Sequence, residues 1–122
     1  MKAKILIVDD SGLARRRART ILEAAGFDVV EAEDGISALE RYFVTKPDLV
    51  LLDLVMKGMY GLDVITKLRE MDPQARIIVV SADVQTSSHE MVAEAGAAAF
   101  MVKPFDPDEM VATINSTLSE AR

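Results

Sequence analysis

The chain has 122 residues, half of them hydrophobic, which suits one domain and leaves no room for a second. Twenty acidic residues outweigh fourteen basic ones for a net charge of -6, so the molecule as a whole should repel nucleic acid and acidic membranes. There is no cysteine, which excludes disulfide and thiolate chemistry, and no apolar run approaches the ~20 residues that cross a bilayer or the ~7–15 of a secretory signal core; a cytoplasmic protein is the simplest expectation.

The first apolar run, Ile5 to Val8, is short, continuous and rich in Ile, Val and Leu, and ends at Asp9-Asp10-Ser11-Gly12. Such a run predicts a strand covered on both faces, followed by a turn. From Leu13 to Ala25 the spacing of Ala14, Ala18, Ile21, Leu22 and Ala25 predicts a helix stopped by Gly26. Phe27 to Ala32 reads as a second strand. Ile36, Leu39 and Phe43 predict the buried stripe of a second helix ending before Pro47. Leu49 to Leu52 is a third strand that leads into Asp53. Leu62, Ile65 and Leu68 mark a third helix, stopped at Asp72-Pro73. Ile77 to Val80 is a fourth strand, Thr86 to Ala95 a fourth helix closed by Gly96, and Ala97 to Val102 a fifth strand. Asp106-Pro107-Asp108-Glu109 opens a fifth helix with stripe Met110, Ile114 and Leu118, its acids facing the helix dipole. Five strand–helix alternations with short connections predict an α/β fold, a parallel sheet with helices on both faces.

In open α/β sheets, ligands bind beyond the carboxyl ends of the strands. There the first strand delivers Asp9 and Asp10, the third Asp53, the fourth Ser81 and the fifth Lys103. The second delivers Glu33 and Asp34, farther from the centre. Clustered carboxylates repel one another unless a cation offsets them. A hard divalent ion bound by oxygen meets that need, and an open site with few ligands suits Mg2+. Neighbouring side chains on a strand point to opposite faces, so Asp9 and Asp10 can share an ion only where the chain turns. With Lys103 as a compact charge and Ser81 as a donor, the parts match phosphoryl transfer: positioning, charge neutralisation and a nucleophilic oxygen.

Four segments together resemble the receiver domain of two-component response regulators: Ile7-Val8-Asp9-Asp10, Leu51-Leu52-Asp53-Leu54-Val55-Met56, Val80-Ser81-Ala82 and Val102-Lys103-Pro104-Phe105. The likeness covers the whole chain, residues 1–122, as a single domain, and its length is that of the stand-alone CheY-like type. The resemblance implies a flavodoxin-like (βα)5 doubly wound five-stranded parallel sheet in the order 2-1-3-4-5. It implies that Asp53 accepts a phosphoryl group from a phosphohistidine of a histidine kinase or phosphotransfer protein. Asp10 and Asp53, with Asp9 and the backbone carbonyl of Val55, would hold Mg2+. Lys103 would pair with Asp53 and then the phosphoryl group, Ser81 and Phe100 would carry the switch, and the Lys103-Pro104 bond would be cis. The product would be a signalling switch that assists its own phosphorylation and dephosphorylation, not an enzyme in the ordinary sense. Its partners would be the kinase, a downstream target and, as an option, a phosphatase, with no nucleic acid and no membrane. The responsive surface would be roughly Val84 to Gly96, Ala97 to Val102 and Asp106 to Leu118. Lys57 stands where the family often has proline. Tyr60 replaces the frequent Asp before Gly61, so the third helix should lack a side-chain cap. Ser81 replaces threonine and Phe100 tyrosine.

A magnesium-dependent phosphohydrolase is the competing enzymatic reading, but Val55 occupies the place of its second acid. The turn after the first strand lacks a glycine fingerprint for nucleotides. A phosphorylation-independent adaptor would not need all five polar site residues. Arg15, Arg16, Arg17 and Arg19 read as a solvated helix face partly paired with Glu23, at most touching an acidic kinase or phosphatase. His89, the lone histidine, is expected on the exposed side of the fourth helix. Asp83 is a candidate cap for that helix, and Met91 or Met110 could meet a partner.

Overall fold

The computed structural model describes residues 2–54, 56, 60–82 and 86–120. Five strands alternate with five helices: β1 (Lys4–Val8), α1 (Gly12–Ala24), β2 (Asp28–Ala32), α2 (Gly35–Thr45), β3 (Leu49–Asp53), α3 (Gly61–Met71), β4 (Ile77–Ser81), α4 (Thr86–Ala95), β5 (Ala99–Val102) and α5 (Pro107–Ser119). All strand pairs are parallel, in the order β2-β1-β3-β4-β5. Chain direction across the sheet reverses at β1, so the crevice between β1 and β3 is the topological switch point.

The central strands are buried along almost their whole length, and the two outer ones are partly open. That is why the first, third and fourth runs read as unbroken apolar stretches. The sheet divides the core into two layers by residue parity. Leu6, Val8, Val50, Leu52, Ile77 and Val79 pack towards α2, α3 and α4. Ile5, Ile7, Leu49, Leu51, Ile78 and Val80 pack towards α1 and α5.

Helix starts and stops follow local chemistry. Ser11 caps α1 by accepting from Ala14 N, and Asp34 caps α2 by accepting from Ser37 N. Gly26 and Gly96 take positive φ after α1 and α4, where only glycine is unstrained. Asp106 caps α5 through Glu109 N, with Pro107 in its first turn. Gly61 opens α3 against the preceding strand's exit. A Cβ there would lie 2.5 Å from the backbone oxygen of Leu54, so the close approach requires glycine.

The second helix corrects the sequence reading. Its buried residues are Gly35, Ala38 and Tyr42, with Leu39 partly buried, whereas Ile36 and Phe43 are 64% and 73% exposed. Two causes turn it. Gly35 and Ala38 let the helix lie close to the sheet, and the Tyr42 hydroxyl donates to Asp72 Oδ2 at 2.7 Å, so the aromatic with a polar tip wins the inner face over Phe43. Met110 is likewise buried at the α5 seam, out of a partner's reach, while Met91 is exposed.

As anticipated, Tyr60 sits at the N-cap of α3 with extended backbone and no side-chain cap hydrogen bond. Tyr60→Asp is expected to stabilise the fold by about 1 kcal/mol, read as a higher urea midpoint with an unchanged slope.

Candidate functional site

Asp9 directly follows β1, Asp53 ends β3, Ser81 ends β4, and Lys103 directly follows β5. Register brings them together: Val8 pairs with Leu52, Asp53 with Val80, and Ser81 with Val102. The polar residues therefore form a row across one sheet edge. One carboxylate oxygen from each of Asp9, Asp10 and Asp53 lies within 4.8 Å of the others. Asp9 is buried, Asp53 partly buried and Asp10 exposed. All the donors are hard oxygens, with no sulfur or imidazole, and one member of the set is open to solvent. That suits a small, partly hydrated cation such as Mg2+.

Lys103 reaches this cluster from the turn after β5. Its Nζ donates to Asp9 Oδ2 at 3.0 Å and lies 3.6 Å from Asp53 Oδ2. The sequence reading paired it with Asp53; the ammonium sits between the two carboxylates and closer to Asp9. The Lys103-Pro104 bond is cis. Ser81 is buried, and its carbonyl accepts from Lys103 N at 2.8 Å, which ties β4 to the lysine-bearing turn. Beside these groups opens a cleft of about 420 Å3, lined by Asp9, Asp53 and Lys103 together with Leu13, Arg17 and Phe105. Val55, Lys57, Asp83 and Val84 lie outside the described residues.

Residues 5–115 match the family model of the response regulator receiver domain. The chain belongs to that family. It is 43% identical to the chemotaxis protein CheY of Bacillus subtilis over 98% of this chain and the whole of that protein. Against CheY of Thermotoga maritima the identity is 40%, over 94% of this chain and 97% of the relative. A solved response regulator from Chloroflexus aurantiacus superposes with a TM-score of 0.94 at 27% identity, covering 98% of this chain and all of that one. The receiver is thus homologous to CheY, a domain of phosphorylation-dependent two-component signalling rather than a classical enzyme. Receivers of this family interact with histidine kinases and downstream targets. Among the described residues, no helix is long and apolar enough to cross a membrane.

Two features of the receiver were not read from its sequence. His89 is not on the open side of α4. Its ring stacks on Phe100 of β5, centroids 3.8 Å apart and planes 26° apart, and its buried Nε2 meets no hydrogen-bond partner among the described residues. Val92 is the buried residue among those of α4 whose burial is described, and His89 lies three positions before it on the same face; that spacing was the available signal. Phe100 alternates with Met101 on β5 and so faces α4 while Met101 faces α5.

The second feature is the arginine group. Arg15 Nε donates to Glu31 Oε1 at 3.0 Å, and Arg19 Nη1 donates to Glu31 Oε2. Arg19 also pairs with Glu23 one turn on, at 3.4 Å, the one contact foreseen. Arg17 lies over the Phe105 ring at 5.4 Å. Arg16 and Arg17 are the exposed arginines of the four, while Arg15 and Arg19 are half-buried. Nothing in one sequence marks Glu31 as their partner, because strand β2 brings it across from outside the helix.

Burial would raise the Glu31 carboxyl, but hydrogen bonds from Arg19 and Arg15, with their charges, outweigh it and hold the group below its ordinary 4.5. The Glu31 hydrogen bond in turn raises Arg19. A depressed folded pKa gives stability that is present above the unfolded value and fades as pH falls through the folded one. Glu31→Gln should therefore be less stable than the parent near neutrality, and the gap should close as urea unfolding is followed from about pH 6 down to pH 3.

Proposed function

We propose that Asp53 is the phospho-acceptor of this receiver, acting with Asp9, Asp10, Lys103 and Ser81, and that residues 1–122 work as one switching unit in the cytoplasm. The single observation that carries the proposal is the convergence of three carboxylates and one ammonium at the β1–β3 crevice. Asp9, Asp10 and Asp53 would hold Mg2+, with the Val55 carbonyl as a further ligand by family resemblance. When bound, Mg2+ would neutralise charge on the phosphoryl oxygens.

The chain's own residues do the rest. An Asp53 carboxylate oxygen attacks phosphorus of a phosphohistidine. The P–O bond forms as the P–N bond breaks, and the imidazole leaves with the electron pair of that bond. Lys103, already between Asp9 and Asp53, is within reach of the added negative charge. Ser81 stands at the end of the neighbouring strand, where a hydroxyl can donate to a phosphoryl oxygen. The cleft lined by Leu13 and Phe105 leaves the donor an approach on the α1 side.

New charge at this edge would bias a two-state surface on α4, β5 and α5. Phe100, stacked on His89, is the aromatic proposed to move inward, and its movement must open that stack. A histidine kinase or phosphotransfer protein would supply the phosphoryl group, a downstream target would read the surface, and a phosphatase could reset it.

With magnesium and acetyl phosphate, the intact mass should rise by one phosphoryl group, and Asp53→Asn should abolish the rise. Consumption of many donor equivalents with no acyl phosphate trapped would instead favour a hydrolase. Lys103→Ala removes a cation from beside the metal ligands, so magnesium affinity should hold or increase. The same variant should uncouple the switch: beryllofluoride would shift the imidazole NMR signals of His89 in the parent but leave them unmoved in Lys103→Ala. A sharp loss of magnesium binding in that variant would remove Lys103 from its assigned role.

A further inference from the structure

Asp9 and Asp10 are adjacent, and adjacent side chains of an extended strand point apart. Turning both to one site requires a particular orientation of the peptide between them. The groups of Asp9 are held one by one. Its N donates to Ala32 O at 3.2 Å, continuing the β1–β2 ladder. Its carboxylate accepts from Ser11 N at 2.9 Å and from Lys103 Nζ at 3.0 Å. Its carbonyl, which belongs to the Asp9–Asp10 peptide itself, accepts from Arg15 Nη1 at 2.7 Å.

Arg15 is itself braced. The guanidinium that holds the carbonyl also donates to Glu31 at 3.0 Å, and Arg19 secures the other Glu31 oxygen. Arg15 is 18% exposed in its side chain and Glu31 29%, so the contact between them is partly shielded from water. We propose that Arg15 is a positioning residue of the magnesium site: its guanidinium, braced by Glu31, sets the Asp9–Asp10 peptide so that both carboxylates face the cation. The inference rests on the reading of Asp9, Asp10 and Asp53 as that site.

Three physical points support it. A planar fork with fixed donor directions can hold a carbonyl and a carboxylate at once, which a lysine ammonium on a flexible stem does poorly. A charged donor makes a stronger bond to the carbonyl than a neutral one would. A bare guanidinium this near the site would repel a divalent cation, but Glu31 offsets its charge, so Arg15 supplies direction with little repulsion. Groups that orient metal ligands in this way change metal affinity by about 10–100-fold when removed.

The bland alternative is that Arg15 only ties α1 to β2, and then stability would fall while magnesium affinity stayed level. Calorimetric titration of magnesium into the full chain separates the two, with urea unfolding of each variant followed in metal-free buffer. Arg15→Ala should weaken magnesium binding about tenfold in protein shown to be folded. Arg15→Lys should recover little of the loss, and Glu31→Ala, which frees the brace but leaves the carbonyl bond, should fall between. Parental magnesium affinity in folded Arg15→Ala would overturn the inference, whatever its stability. Should that variant not fold, parental affinity in both Arg15→Lys and Glu31→Ala would overturn it equally. A parent chain that binds no magnesium, or binds it as well with Asp10→Asn, would overturn the site reading itself; a parent that binds while Arg15→Ala binds equally sinks only the role of Arg15.

Discussion

Asp9, Asp10 and Asp53 each place a carboxylate oxygen within 4.8 Å of the others, and carboxylates crowded together repel one another. Lys103 answers part of that repulsion, reaching both Asp9 and Asp53. Among the described residues one ammonium faces these three carboxylates, and a divalent cation or an incoming cationic donor group can add positive charge at the same edge. The fold accepts this local cost because the central strands are apolar and buried on both faces. The site is affordable only at a strand edge, where Asp10 keeps contact with solvent.

The architecture was legible because buried parallel strands leave unbroken apolar runs, and because glycine, proline and capping acids punctuate the helices. Gly26, Gly96, Asp106 and Pro107 each did what their chemistry predicts. The α2 face was not legible. Its sequence offers two overlapping apolar stripes, Ile36–Leu39–Phe43 and Ala38–Tyr42, and periodicity alone favours the one with larger side chains. Tertiary contacts chose the other: small residues permitted close packing, and a tyrosine found a carboxylate thirty residues away. Local pattern carries no information about such a partner.

The candidate site shows the same division. Residue types at strand ends placed Asp9, Asp10, Asp53, Ser81 and Lys103 on one edge, since parallel strands of similar length end together. Strand-end position could not say how Lys103 would share itself between two acids, nor that Arg15 would reach back to the Asp9 carbonyl. Both depend on the path of a turn rather than the order of residues. The four arginines looked interchangeable as a charged helix face. In space they differ: two clamp Glu31, one covers Phe105 and one faces solvent.

The sheet also separates the chemistry from its readout. The clamp of Arg15, Glu31 and Arg19 joins α1 to β2 on one flank of the edge. The Phe100–His89 stack joins β5 to α4 on the other, with Ser81 and the Lys103 turn between. A charge change at Asp53 therefore meets two different environments. Towards β1 and β2 the ligands are pinned by bonds from several elements, which favours a fixed geometry for the cation. Towards β4 and β5 the connection includes the Lys103 ion pairs, the Lys103 N to Ser81 O hydrogen bond and a ring stack whose histidine Nε2 has no polar partner among the described residues. A stack held by dispersion and burial is cheaper to open than a guanidinium–carboxylate fork. If Asp53 is the acceptor proposed above, rigid support on the carboxylate side and a yielding contact on the α4 side would set the direction in which a phosphoryl group at this edge moves the molecule.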